Sequence, residues 1–277
     1  MIVPILTYGC EVWGFTDADI ANRLQLKFLK IIFRLRRSTP SYMVYGETGV
    51  YPIDVTIKNR IINFWMKLVS NENGSKLSSL VYKCLYKLYR QGTHECLYLK
   101  YIRQALIDLG LPYLWESHDV THINKSQLKT FVKRQTQDLF ILQWHTEIAE
   151  SSMYENYRMI KTNFGQERYL SILPYNCIIS FIRFRTTNNS LPVNVQRYYN
   201  IDRRYRTCDK CTSNDVADEF HYLFVCPYFT SIREKCIPCI YIARPNYHKY
   251  NKLFNSHDKV ILLKLKHFID VIDRSLQ

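Results

Sequence analysis

Cys208, Cys211, His221 and Cys226 fall in the pattern Cys-x2-Cys-x9-His-x4-Cys. Two thiols separated by two residues can close on one ion from a tight knuckle, and a later His and Cys supply the other corners of a tetrahedron. Three sulfurs and an imidazole favour zinc over hard ions such as magnesium. With four protein ligands no position is left for a water, so the chemistry is that of a structural zinc rather than a catalytic one.

Two other readings of the same residues stay open. The thiols can be buried small hydrophobes with no metal. Alternatively, Cys236 and Cys239 can replace His221 and Cys226 in a four-cysteine site, although the 24 residues between the two pairs exceed the usual zinc-ribbon interval. A disulfide framework fits poorly, because the nine cysteines are an odd number and no secretion signal precedes them.

Specific elements must position these ligands. Cys208-Asp-Lys-Cys211 runs into Thr-Ser-Asn-Asp, a turn-rich stretch. Asp215-Val-Ala-Asp-Glu219 is then expected to start a helix carrying His221, with its acidic residues in the first turn. Five residues along an ideal helix rotate a side chain by roughly 140°. His221 and Cys226 can therefore share an ion only if the helix ends near Cys226, and Pro227 disfavours helical geometry there.

The formal charge of +14, from 38 Lys and Arg against 24 Asp and Glu, attracts polyanions. Between Asp19 and Arg37, six basic residues face one acidic residue. Arg23, Lys27, Lys30, Arg34 and Arg37 recur at helical spacing as a basic rail, beside an apolar stripe of Leu24, Phe28, Ile31 and Leu35 that is expected to pack. A solvated cationic face is the plainer reading of that rail. A second block, residues 181–206, carries Arg183, Arg185, Arg197, Arg203, Arg204 and Arg206 against Asp202 alone. Ile178, Ile179, Phe181, Ile182 and Phe184 read as a packed helix face. Base stacking then falls to Tyr198, Tyr199 or Tyr205.

The fold class expected is mainly α. Pro52 precedes Ile53, Ile57, Ile61, Trp65 and Leu68 at helical spacing, and further helical patterns cover 77–90, 95–109, 126–149, 176–186 and 258–274. Turn signals stand at Asn71-Glu-Asn-Gly74, Gly110-Leu-Pro112 and Asn188-Asn-Ser-Leu-Pro192. No alternating strand series, repeat or low-complexity linker stands out, so domain edges are soft; they are placed near residues 115 and 200. No run reaches membrane-spanning length, and Met1–Leu6 has neither the length nor the basic flank of a signal peptide. The sequons at Asn73 and Asn188 are read as incidental.

Several short motifs, in shared order, resemble the C-terminal region of non-LTR (LINE-type) retrotransposon reverse transcriptases. They are Pro4-x3-Tyr8-Gly-Cys-Glu-Val-Trp-Gly14, Ser38-Thr-Pro40 with Tyr45-Gly-Glu-x-Gly49 and Pro52, and Arg183-x-Arg185 with Leu191-Pro192 and Arg197. The last is Cys208-x2-Cys211 with Asp218-Glu-x-His221-x2-Phe224-x-Cys226. The resemblance implies a helical thumb-like bundle over 1–115, a helical linker with the basic block over 116–200, a zinc knuckle over 201–230 and C-terminal helices over 231–277. It implies a module that holds template RNA or target DNA.

The polymerase aspartate pair that would hold two metal ions is missing, as is any endonuclease segment. Phe15-Thr-Asp17-Ala-Asp19 is read as a helix cap and a solvated carboxylate. The expectation is a non-catalytic fragment of an element. It binds structural zinc through Cys208, Cys211, His221 and Cys226, and RNA or DNA through Arg23, Lys27, Lys30, Arg34, Arg183, Arg185, Arg197, Arg203 and Arg206. Its partners are nucleic acid and the polymerase palm of a parent element, with no membrane and no small-molecule substrate, and its location is intracellular and nuclear. The alternatives are a helical protein-interaction scaffold, an inert pseudogene product, or an accessory part of a polymerase acting in trans.

Overall fold

Ile53, Ile57, Ile61 and Trp65, spaced four apart, lie on one side of the helix Ile53–Val69, and none is more than 1% exposed. This computed structural model describes residues 2–70, 76–120, 122–151 and 155–276; the turn expected at Asn71–Gly74 and the sequon at Asn73 lie outside the described residues. Among the described residues the chain is mainly α-helical, and its only ladder contact is an isolated antiparallel bridge between Thr207 and Val216. Helices at Leu77–Arg90, Leu97–Asp108, Lys125–Glu150, Tyr175–Arg185 and Lys259–Ser275 stand where the apolar periodicity expects them. No described helix is long and apolar enough to cross a membrane.

The chain divides into two units, residues 1–26 with 51–143 and residues 27–50 with 144–277. Residue 115 lies inside the first unit and residue 200 inside the second. The first has a core in which the Ile53–Val69 helix meets Leu97–Asp108, burying Leu99, Ile102 and Leu106 with Leu114, Trp115, Leu128 and Val132. Each such side chain contributes about 1.5–3 kcal/mol on leaving water. Within this core Trp65 Nε1 donates to the Tyr82 hydroxyl at 2.8 Å, and that hydroxyl lies 2.6 Å from His118 Nε2.

The helix Cys10–Ile32 packs on a side other than the expected one. Leu24, Phe28 and Ile31 are 50%, 42% and 64% exposed; of the predicted stripe only Leu35 is buried, and it lies beyond the helix end. The buried positions are Cys10, Gly14, Ala21 and Gln25. Close approach explains this: a Cβ on Gly14 would stand 2.4 Å from Ile57 Cγ2, so the smooth side of the helix docks and the bulky side does not. Arg34 is also not helical, since the helix stops at Ile32 and Arg34 takes a φ of 51°.

In the second unit the helix Ser41–Thr48 is buried from Tyr42 onward and brings Glu47 into the interior. Arg185 meets that carboxylate with two arms, Nε to Oε2 at 2.9 Å and Nη2 to Oε1 at 3.1 Å, and Tyr169 donates its hydroxyl to Oε2 at 2.6 Å. Glu167 lies 3.4 Å from Arg185 Nη2 and also pairs with Lys161. Gly49 ends the helix at a φ of +66°, and a Cβ there would stand 2.3 Å from the backbone nitrogen of Gln166. Helix Tyr175–Arg185 packs against Lys259–Ser275, whose Leu262, Leu265, Phe268, Ile269 and Ile272 are buried.

Candidate metal centre and its basic flank

Thr207 and Val216 form the antiparallel bridge that closes the loop carrying the first two cysteines, reinforced by Cys208 N donating to Asp215 O at 3.0 Å and Ala217 N to Arg206 O at 2.8 Å. Residues 215–217 are therefore extended, and Asp215 does not start a helix as expected. Asp218 takes that role: its Oδ1 accepts from the backbone nitrogen of His221 at 2.9 Å.

From His221 to Val225 the chain makes a π-helical turn, and Cys226 N donates to His221 O at 2.8 Å. The five-residue closure brings His221 and Cys226 to one side, where an α-turn would swing them apart. Cys226 then leaves helical geometry at φ −53°, ψ 119°, ahead of Pro227.

The ligand atoms of Cys208, Cys211, His221 and Cys226 all lie within 4.8 Å of one another. Cys208 Sγ and Cys226 Sγ are 3.9 Å apart, and Cys211 Sγ is 3.4 Å from His221 Nε2. A tetrahedral ion with metal–sulfur bonds near 2.3 Å requires edges of about 3.5–3.8 Å. The donor set fits a four-coordinate metal. Cys236 and Cys239 are not part of this group.

The surroundings of Cys226 and His221 bear on whether they can hold a cation. Burial pushes the Cys226 thiol up to about 12, so a free thiolate is costly there without an ion. Burial lowers the His221 pKa despite Asp215 and Asp218, which keeps the imidazole neutral and able to ligate. Asp215 Oδ2 lies 3.5 Å from His221 Nδ1, too long for a well-made hydrogen bond but on the side that directs Nε2 toward the sulfurs. Lys210 N points to Cys208 Sγ at 3.4 Å.

Arg233 is a member of this site that the spacing does not reveal. Its buried guanidinium donates to Leu223 O at 2.7 Å, within the π-turn, and to Cys226 O at 2.6 Å, just after it. Its only sequence signal is an arginine seven residues past the last ligand, in a helix, Thr230–Cys236, that the periodicity did not mark.

Glu219 stitches the same turn to the preceding segment. Its carboxylate accepts from Asn189 Nδ2 at 3.2 Å, Asn194 Nδ2 at 2.9 Å and Asn156 Nδ2 at 3.1 Å. Asn188 is buried as well, accepting from Arg36 N and Thr39 Oγ1, so the sequon there is closed to a glycan.

The expected nucleic-acid contacts divide into groups. Arg23 and Lys27 are exposed on the helix Cys10–Ile32, while Lys30 is half-buried and donates to Arg37 O at 2.7 Å; Arg34 is exposed past the helix end. Arg183 is exposed, with Nε toward Asn188 O at 3.3 Å. Arg185 is corrected: it is 1% exposed and occupied by Glu47 and Glu167, because two residues along a helix turn a side chain to nearly the opposite side.

Arg197, Arg203 and Arg206 are half-buried and line one cleft. Arg203 pairs with Asp218 at 3.0 Å and Glu155 at 3.3 Å, and Arg206 donates to Ile201 O at 2.7 Å and Val193 O at 2.9 Å.

Tyr198, Tyr199 and Tyr205 are 55%, 75% and 66% exposed. Guanidiniums lie over two of these rings, Arg36 at 5.8 Å and Arg197 at 5.6 Å from Tyr198, and Arg204 at 5.1 Å from Tyr205. Arg36 was not among the expected contacts. Asp17 and Asp19 are exposed, and Asp17 sits at a kink with Thr16 Oγ1 donating to its carboxylate at 2.8 Å. Comparisons with protein-family models, with curated proteins and with solved structures find no match to this chain.

Proposed function

We propose that this chain is a non-catalytic nucleic-acid-binding module fastened by a structural zinc ion. The observation that carries the reading is the linkage between the Cys208, Cys211, His221 and Cys226 group and the arginine–tyrosine segment before it. Arg206 O accepts from Ala217 N at 2.8 Å, and Arg203 pairs with Asp218, the residue that caps the His221 turn. A metal that fixes the turn thereby fixes the guanidiniums. Among divalent ions, zinc best matches three thiolates and one imidazole in a tetrahedron, with no open position for substrate.

Exposed Tyr rings beside Arg forks suit unpaired bases and a phosphate backbone, whether RNA or DNA. On this reading the +14 charge supplies long-range attraction, and the chain performs no chemistry on its ligand. The motif order supports an origin in a non-LTR reverse transcriptase, with a polymerase palm as a second partner and the nucleus as the place of action. Fluorescence anisotropy with labelled single-stranded RNA and DNA tests the reading. Binding at low salt that weakens steeply with added salt is expected, and no binding of either strand at low salt overturns it.

A second reading, a helical protein-interaction scaffold, is favoured by one observation. Ile20, Leu24, Phe28 and Ile31 form an exposed apolar row at helical spacing. Partner capture that persists unchanged in high salt would favour the scaffold.

A further inference from the structure

The geometry points to the cleft lined by Arg197, Arg203 and Arg206 as a seat for one phosphodiester group of a polynucleotide backbone. This rests on the nucleic-acid reading and narrows it from a charged surface to a built pocket.

The first observation is convergence of like charge. Three half-buried guanidiniums share one small cleft with Asn156, Asn194 and Thr187 and with the carboxylates of Glu155 and Glu219. Guanidinium forks gathered in one place offer several charge-assisted donors to a guest anion. The opposing carboxylates are already engaged. Glu155 and Asp218 hold Arg203, at 3.3 and 3.0 Å, and Glu219 accepts from three asparagine amides. Arg206 is oriented from behind by the carbonyls of Ile201 and Val193.

The second observation is strain. Thr187 takes a φ of 59°, a left-handed conformation that a β-branched residue adopts only under constraint, and it lines this same cleft.

The third is size. The cleft is open to solvent and has a volume of about 20 Å³ at its floor. That is room for one water-sized group. It admits one oxygen of a phosphate at the floor of the cleft and has no room for a base there, so recognition at that point is of backbone and not of sequence.

The test is anisotropy with the zinc-loaded chain and labelled U10 and A10 decanucleotides lacking terminal phosphates, over a salt series. Arg197→Gln and Arg206→Gln are each expected to weaken both decamers about tenfold, to the same degree. Each should also lower the salt slope by about one contact's share, roughly 0.7. The exposed Arg134→Gln, which does not line the cleft, serves as the control.

Inorganic phosphate should displace the decamers from the unmodified chain better than chloride at equal ionic strength, a readout independent of how well a variant folds. Binding by both variants equal to that of the control, with phosphate no better than chloride, overturns the pocket while leaving the broader reading in place. A wild-type chain that binds neither decamer removes both.

Discussion

The backbone nitrogen of Cys226 donates to the carbonyl of His221 at 2.8 Å, closing a five-residue turn that sets an imidazole and a thiol against one ion position. An α-helix cannot do this at that spacing, so the π-turn is the local device that converts sequence spacing into a ligand pair. Arg233 donates to the carbonyl of Leu223 within that turn and to that of Cys226 just after it.

Replacing Arg233 with Met should keep the fold around the apolar part of the side chain but release the turn. Outer partners of metal sites typically tune affinity by about 10–100-fold. A competition titration with a zinc chelator should show a loss in that range for Arg233→Met. An unchanged affinity would mean the turn holds itself.

The donor set should matter more than the imidazole as such. His221→Cys completes a four-sulfur tetrahedron and should retain the metal, whereas His221→Phe should lose it. Cobalt substitution reads both outcomes through the ligand-field spectrum. Retention of bound cobalt by His221→Phe would remove His221 from the site.

Much of the helical fold was legible in the sequence because its long helices bury one regular stripe, as Ile53, Ile57, Ile61 and Trp65 show. The clustering of Cys208, Cys211, His221 and Cys226 was legible because their spacing is chemical and independent of packing. Two kinds of residue were not. Leu24, Phe28 and Ile31 looked like a core stripe, yet the small residues Gly14 and Ala21 let another side dock more closely. Arg185 read as a surface cation because its partner, Glu47, lies 138 residues away and no local pattern connects them.

The buried pair of Arg185 and Glu47 should be sensitive to one-sided removal. Arg185→Ala leaves two interior carboxylates without their fork, a change expected to cost about 3–5 kcal/mol. Urea denaturation should show a fall in unfolding free energy of that size. A shift within experimental error would mean Glu47 and Glu167 take up protons or water without strain on the fold.

Acid should act through Glu167. Burial opposes its ionised form, but Arg185 and Lys161 overcome that and hold the pKa below the ordinary 4.5. A depressed carboxyl contributes stability that is fully present above the unfolded value and is lost as pH falls through the folded one. Below about pH 4.5 the stability of the native chain should therefore fall more steeply than that of Glu167→Gln. Parallel pH profiles for the two proteins would exclude this carboxyl as the cause.

Close approach at Gly14 gives a test of the docked side of the Cys10–Ile32 helix. Gly14→Val places methyl groups where Ile57 already stands, and overpacking of this kind costs about 1–3 kcal/mol. A lowered thermal midpoint with unchanged zinc content is expected. No change in the midpoint would mean the helix does not sit this close.

The metal content of the purified chain bears most directly on the whole account. Elemental analysis after dialysis against metal-free buffer should find one equivalent of zinc in the native protein and none when Cys208 and Cys226 are both replaced by Ser. A native chain free of metal, or a double variant that keeps its zinc, would contradict the assignment.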